Sequence, residues 1–182
     1  MMAKCKICQA PFTKLSISHK ACGPECALEL ARVTREAKER KKERSDKVRL
    51  RTRREWLKLA QVSFNAYIRE RDKGKPCICC GMPLDTDAVG GGYDCGHYRS
   101  VGSAPHLRYD PMNAHGQRKQ CNRYKSGNAA DYRIGLIARV GLAAVEALEA
   151  DQTAKKHTIP ELQEIIIEYN RKLKELRRGN AR

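Results

Sequence analysis

Aromatic residues are scarce in this 182-residue chain, which has two Phe, one Trp and seven Tyr. The 41% hydrophobic fraction includes nine Cys, which argues against one large aromatic core. Also missing is any run of about 18 apolar residues, so no membrane-spanning helix is expected. The opening residues, MMAKCKICQAPF, lack the apolar stretch of a secretory signal, and a cytosolic chain is the expectation. Acidic charge is in short supply, with 21 Asp and Glu against 37 Lys and Arg and a net charge of +16. That leaves one or two small domains held together by something besides burial.

Half of the charge excess lies in residues 29–73, which carry 16 Lys and Arg against 8 Asp and Glu. The stretch ARVTREAKERKKERSDKVRLRTRREW contains no Gly or Pro and reads as a long solvated helix, or one that forms on contact. Its bland role is a surface helix laced with i,i+4 pairs such as Glu36 with Arg40. Its functional role is a polyanion clamp, because Lys and Arg that neutralise phosphates release condensed counterions. Nucleic acid suits it better than a membrane, since no apolar face runs between Ala37 and Arg49.

From Trp56 the pattern changes: Trp56, Leu59, Ala60, Ser63 and Tyr67 follow helical spacing and should pack onto a domain. Gly74 and Pro76 end that helix. A further block carries Ile134, Ile137, Val140, Ala144 and Leu148 at near-helical intervals, weakened by Gly135 and Gly141. The last helix is announced by Thr158, Pro160 and Glu161, a capping box with Pro in the first turn. These stripes are ordinary core faces.

The cysteines form two groups. Cys5, Cys8, Cys22 and Cys26 read C-x2-C-x13-C-x3-C, the paired-thiolate spacing of a structural zinc site. Four thiolates at about 2.3 Å would compensate for a segment too small to fold by burial. Disulfides are the weaker reading in an intracellular chain, and the CKIC pair lacks the βαβ context of a redox motif. In the second group Cys77 and Cys80 have a knuckle gap, and Cys121 stands far downstream. Arg118 occupies the place three before Cys121, so the fourth ligand must be Cys79, Cys95 or His115, if the site closes.

Interleaved with these thiols are Asp94, His97, Asn113 and Asn122. Hydrolysing a phosphodiester needs a base for water, a cation on the phosphate oxygens and donors that hold the geometry. Imidazole titrates near neutrality, and Asn and Asp oxygens are the hard ligands that Mg2+ or Mn2+ prefers.

This segment resembles the HNH, or His-Me finger, nucleases: CxxC, GHY, Asn113, CN and Lys125 occur in that order over about fifty residues. More narrowly, PCICCG, DCGHYRS, LRYDPMNAHGQ, CNRYKSGN and YRIGLIARVG are similar to the NinG, or Rap, family of lambdoid phages, recombination endonucleases that act on branched DNA. The likeness covers nearly the whole chain, including CGPEC and the helices that follow. It implies an α+β fold: a zinc module over residues 1–28, a basic helical segment over 29–73, a ββα-metal (His-Me finger) nuclease core with a zinc knuckle over 74–128, and C-terminal helices over 129–182.

The resemblance also implies roles. His97 would be the general base, Asn113 would orient the loop and its imidazole, and Asn122 would take the metal place of the motif's last His. The usual Asp directly before the catalytic His is replaced by Gly96, leaving Asp94 as a displaced second ligand for Mg2+ or Mn2+. Arg118 stands where family members commonly carry Cys. The implied activity is metal-dependent cleavage of branched recombination intermediates such as Holliday junctions and D-loops, in the bacterial host cytoplasm. A homodimer and recombination proteins of phage or host are the expected partners, and no membrane is.

Arg99, Arg108, Arg123 and Lys125, with Arg49, Arg51, Arg53 and Arg54, are the expected contacts to the DNA backbone. Tyr98 and Tyr124 either stack on an unpaired base or fill the small core. His19, His106 and His157 join no cluster and read as surface. Gly90, Gly91 and Gly92 read as a flexible hairpin tip, since no GK[ST] accompanies them. The rival function is a non-catalytic zinc-dependent DNA-binding protein with a vestigial H-N-N array. A ribosomal-type RNA-binding protein is a weaker third.

Overall fold

The computed structural model describes residues 2–86, 88 and 91–180, and these divide into two compact units, Met1–Arg51 and Thr52–Arg182. The fold class is α+β, with nine helices and strands of regular geometry among the described residues. No described helix is long and apolar enough to cross a membrane.

In the first unit a short antiparallel hairpin, β1 (Met2–Lys4) with β2 (Pro11–Thr13), pairs Ala3 with Phe12. Helix α1 (Pro24–Arg49) follows, with Pro24 in its first turn and no buried residue among those described. Its surface carries ion pairs: Arg32 lies 2.7 Å from Glu36 and 2.6 Å from Glu29, and Arg40 lies 3.2 Å from Glu36.

The basic segment expected over 29–73 is two helices. Thr52 interrupts it: its hydroxyl accepts from the Glu55 amide at 3.3 Å, and the Glu55 carboxylate accepts from the Thr52 amide at 2.7 Å. This capping box satisfies the first amides of α2 (Arg53–Arg71), which belongs with the second unit. The change of pattern read at Trp56 falls in the first turn of α2, just past this break.

The second unit is built on α2 and α5 (Ile159–Asn180). Trp56, Ala60, Phe64 and Ile68 pack with Leu162 and Tyr169, with large side chains such as Phe64, Ile68 and Leu162 contributing roughly 1.5–3 kcal/mol each. The Thr158 cap on α5 is present, with the Glu161 carboxylate 2.7 Å from the Thr158 amide. Against α2 lies an antiparallel hairpin, β3 (Tyr93–His97) and β4 (Ala114–Arg118), in the register Asp94 with Gln117 and His97 with Ala114. Asp72 at the end of α2 is buried and accepts the Gly116 amide at 2.8 Å, while Arg71 donates to the carbonyls of Pro111 and Ala114 at 2.8 Å each. The hairpin is thereby tied to α2.

The remaining helical block is also two elements, α3 (Ala129–Val140) and α4 (Leu142–Ala150), because Gly141 takes φ 88°, a left-handed value that ends α3. Tyr132, Leu136, Val145 and Leu148 form its core with Ile78 and Leu107, whereas Ile134, expected in the core, is exposed. Ile137 and Val140 pack against this core and Leu148 lies in it, as the periodicity predicts. Of the expected glycine tip, Gly90 lies outside the described residues.

The histidines read as surface are not so placed. His157 is buried beside the Tyr109 ring, the His106 side chain is only 6% exposed with its ring 3.1 Å from the Asp151 carbonyl, and His19 packs edge-on against Phe12. His115 is buried, its Nδ1 3.3 Å from the Tyr132 hydroxyl, and burial, helped by the Arg71 charge, pushes its pKa down to about 3. Burial lowers His97 and His157 in the same direction.

Because these pKa values are lower folded than unfolded, the unfolded chain binds more protons between them and the ordinary histidine range. Stability is therefore complete above that range and is lost as pH falls, by about 2 kcal/mol at pH 5 for His115 alone. The thermal midpoint should drop between pH 7 and pH 5, and His115→Gln should flatten that slope. An unchanged slope in the variant would contradict the assignment.

Candidate functional site

Strand β3 carries His97 at its end, against the Phe64 ring of α2 with centroids 5.9 Å apart. Its Nε2 lies 2.9 Å from the Arg108 carbonyl oxygen. A carbonyl only accepts, so Nε2 carries the hydrogen and the lone pair of the neutral ring is on Nδ1. Burial lowers the His97 pKa and the Arg108 charge adds to it, outweighing the carbonyl bond that favours the protonated ring. The ring is neutral at pH 7, with Nδ1 as its proton acceptor.

Arg108 lies within the loop that leaves β3 after His97 and returns at Asn113. The side chain of Asn113 clasps this loop from inside: it is fully buried, its Nδ2 donates to the carbonyls of Arg99 at 3.0 Å and Leu107 at 3.2 Å, and its Oδ1 accepts from the Arg99 amide at 2.8 Å. The Tyr98 amide also donates to the Asn113 carbonyl at 2.8 Å. The carbonyl that orients His97 follows directly on one that Asn113 holds.

Asp94 and Asn122 meet where a single π-helical turn (Gln120–Tyr124) follows β4, the Asn122 amide donating to the Asp94 carboxylate at 3.0 Å. Arg123 grips both oxygens of Asp94, at 2.7 and 2.8 Å. Burial alone would raise the Asp94 pKa, but the bonds from Arg123 and Asn122 override it and hold the carboxylate below its ordinary value. Strand alternation sends Asp94 to one face of the hairpin and His97 to the other. The expected ligand pair, Asp94 and Asn122, is thus brought together, whereas the hydrogen bond of His97 runs to the Arg108 carbonyl.

The glycine before His97 has a structural cause. A Cβ on Gly96 would collide with the side-chain carbonyl of Gln117, which is fully buried on the same face as Asp94. Gln117 Nε2 donates to the Gly127 carbonyl at 2.7 Å and the Cys79 sulfur at 2.8 Å, which fixes the amide's orientation and leaves Oε1 buried with no hydrogen-bond partner. An aspartate at position 96 has no room. Sequence reasoning missed Gln117, whose only signal was its alternate place on AHGQR opposite Asp94.

Two thiol groups are assembled. The sulfurs of Cys5, Cys8, Cys22 and Cys26 lie within 4.8 Å of one another, with Cys8 to Cys22 at 3.4 Å and Cys22 to Cys26 at 3.7 Å. A tetrahedron of Zn–S bonds has edges of about 3.8 Å, so this set can hold structural zinc. Cys77, Cys80 and Cys121 form the second group, and none of the three fourth-ligand candidates joins it. Cys95 is packed against the α2 core and burial pushes its thiol up to about 12, His115 faces Tyr132, and Cys79 stands beside the group as acceptor of the Gln117 amide. The spacing was compatible with each, but the strand pleat sends Cys95 and His115 elsewhere.

Several expected DNA contacts are engaged within the fold. Arg99 binds the carbonyls of Leu148, at 2.8 Å, and Asp151 at the end of α4, and is a helix cap. Arg108 donates to Gln61 at 2.7 Å, and Arg53 to the His157 carbonyl at 2.7 Å. Arg49 lies 3.4 Å from Asp46, and Arg51 is half-buried. Arg54 and Lys125 are exposed. Tyr98 fills the core, with its ring 5.6 Å from Tyr132 and its hydroxyl on Glu149, while Tyr124 is 76% exposed.

A family described as Bacteriophage Lambda NinG protein matches residues 1–180. Protein ninG of Salmonella phage P22 is 40% identical over 175 residues, covering 86% of this chain and 83% of its own. Protein ninG of Escherichia phage lambda is 38% identical over 179 residues, 88% of this chain and 85% of its own, and that of Escherichia phage 933W is 37% identical over 197 residues, 98% and 95%. No solved structure matches.

Metal analysis of the purified protein should find two zinc ions per chain, with Cys121→Ser reducing the count to one and leaving the N-terminal site filled. One zinc in the wild type would show that the three-thiol group stays empty.

Proposed function

The chain belongs to the bacteriophage lambda NinG family, and on that premise we propose that it is a metal-dependent, structure-selective DNA endonuclease cleaving branched recombination intermediates such as Holliday junctions and D-loops. The observation that carries this reading is the His97 imidazole, made a neutral base at Nδ1 by the Arg108 carbonyl on a loop that Asn113 clasps. The donor set fits a hard cation: Asp94 is an ionised carboxylate, and Asn122 leaves its Oδ1, the atom such a cation takes, outside the bond to Asp94. Asp94 and Asn122 would hold Mg2+ or Mn2+, which when bound supplies charge neutralisation on the scissile phosphate.

His97 Nδ1 takes a proton from water as the water oxygen bonds to phosphorus, and the bond from phosphorus to the 3′ oxygen breaks. The departing oxygen is protonated by solvent, leaving 3′-hydroxyl and 5′-phosphate ends. Exposed cations such as Lys125 and Arg54 bind the backbone, and branches are preferred because flexible junctions cost less to deform than intact duplex. A four-way junction has two-fold symmetry, which suits a homodimer working with phage or host recombination proteins.

The non-catalytic reading is favoured by two observations: Arg123 occupies both carboxylate oxygens of Asp94, and Asp94 and His97 lie on opposite faces of the hairpin. Cleavage of a synthetic four-way junction separates the two readings. His97→Ala and Asn122→Ala proteins should bind the junction as the wild type does, yet cut it about 10²–10⁴-fold more slowly in Mg2+. Because the folded His97 pKa is lowered, wild-type cleavage should be level at neutral pH and fall only below the ordinary histidine range. Arg123→Ala should bind Mn2+ more tightly without DNA, measured by titration calorimetry. A wild type that cuts in neither Mg2+ nor Mn2+ would overturn the enzyme reading.

A further inference from the structure

The first unit contains a feature that the nuclease reading leaves unused. Between the loop before Cys22 and the first turns of α1 runs a groove of about 540 Å3, within the range of ligand sites. Its floor is apolar, made by Ala27, Leu30 and Ala31. Its rim carries Lys20, Arg35 and Lys38, and no acidic side chain lines it.

These three cations are set apart from their neighbours. Arg32 and Arg40 on the same helix are neutralised by Glu29 and Glu36, whereas no ion pair among the described residues engages Lys20, Arg35 or Lys38. Residues 2–24 hold four Lys and no Asp or Glu, so nothing on the hairpin offsets them. On the turn leading into the groove, Leu15 and Ile17 are 86% and 95% exposed, although the Leu15 amide donates to His19 Nδ1 at 3.2 Å and holds the turn in place.

We propose that this groove is a binding site for an unstacked nucleotide of branched DNA, its base laid on the Ala27, Leu30 and Ala31 floor and its flanking phosphates held by Lys20, Arg35 and Lys38. The charge complementarity selects a polyanion, and the apolar floor selects one whose bases are open. Phosphates alone gain nothing from Leu30, and the base faces of intact duplex are hidden in the stack. Burying one face of a base on this aliphatic floor contributes on the order of tenfold in affinity. The groove would read the open bases at a branch point while the hairpin site cuts. The proposal rests on DNA being the substrate, but not on His97 being catalytic.

The test uses the full-length protein carrying His97→Ala, without added Mg2+ or Mn2+, and a four-way junction with 2-aminopurine at the branch point. A blunt duplex, a structured RNA hairpin and phosphatidylglycerol vesicles serve as competitors at matched ionic strength. Adding Ala27→Gln and Ala31→Gln, both at exposed helical positions, fills the groove without altering charge. The expected result is loss of the 2-aminopurine fluorescence rise and about tenfold weaker junction binding, with duplex binding changed less than about twofold. Zinc content equal to the parent's shows that the unit has folded. Lys20→Ala with Lys38→Ala should lower junction and duplex affinity together and flatten the salt dependence. Unchanged fluorescence and affinity in the Gln variant would overturn the assignment, as would an effect confined to RNA or vesicles. Should the groove behave as expected while wild-type protein fails to cut in Mg2+ and Mn2+, the nuclease reading alone would fall.

Discussion

A single buried amide sets the geometry of the hairpin site. Asn113 has no exposed surface, and it holds the loop after β3 by the Arg99 amide and carbonyl at one end and the Leu107 carbonyl at the other. Removing such an amide leaves buried backbone groups unsatisfied, at roughly 1–3 kcal/mol for each. The consequence reaches the chemistry, because the Arg108 carbonyl next in line decides which nitrogen of His97 bears the hydrogen. Arg71 and Asp72 secure the other side of the same hairpin from the end of α2. The imidazole is thus held from two directions by the frame around it.

Much of this was legible in the chain. The four N-terminal cysteines, the capping box of α5 and the order of His97, Asn113 and Asn122 are local features, governed by turn length and short spacing. What escaped were relations across the fold. Gln117 excludes any side chain at Gly96, and that fact exists only once β3 and β4 are in register. Arg99 looks like a phosphate contact until α4 presents its last carbonyls to it. His106 and His157 looked like surface because the carbonyl and ring that bury them come from distant segments. Cys95 had a plausible spacing for zinc, but strand alternation turned it towards α2.

Charge is arranged differently in the two units. In the first, α1 offsets part of its own charge with Glu29 and Glu36, and no ion pair among the described residues engages Arg35 or Lys38. In the second, the Asp94 carboxylate is closed by Arg123, whose side chain is more than half exposed. A phosphate arriving from solvent meets Arg123 before it meets Asp94. An arginine shared between a carboxylate and a phosphate would let substrate and metal arrive together, since each relieves the charge the other needs.

The central claim is that His97 stands ready as a neutral base with its hydrogen on Nε2. Nitrogen-15 NMR of the histidine rings across a pH titration tests this most directly. The account predicts the Nε2–H tautomer for His97, a titration midpoint below that of an unperturbed histidine, and a shift toward ordinary behaviour in Asn113→Ala. A ring protonated on Nδ1, or one titrating in the normal range with Asn113 intact, would contradict it.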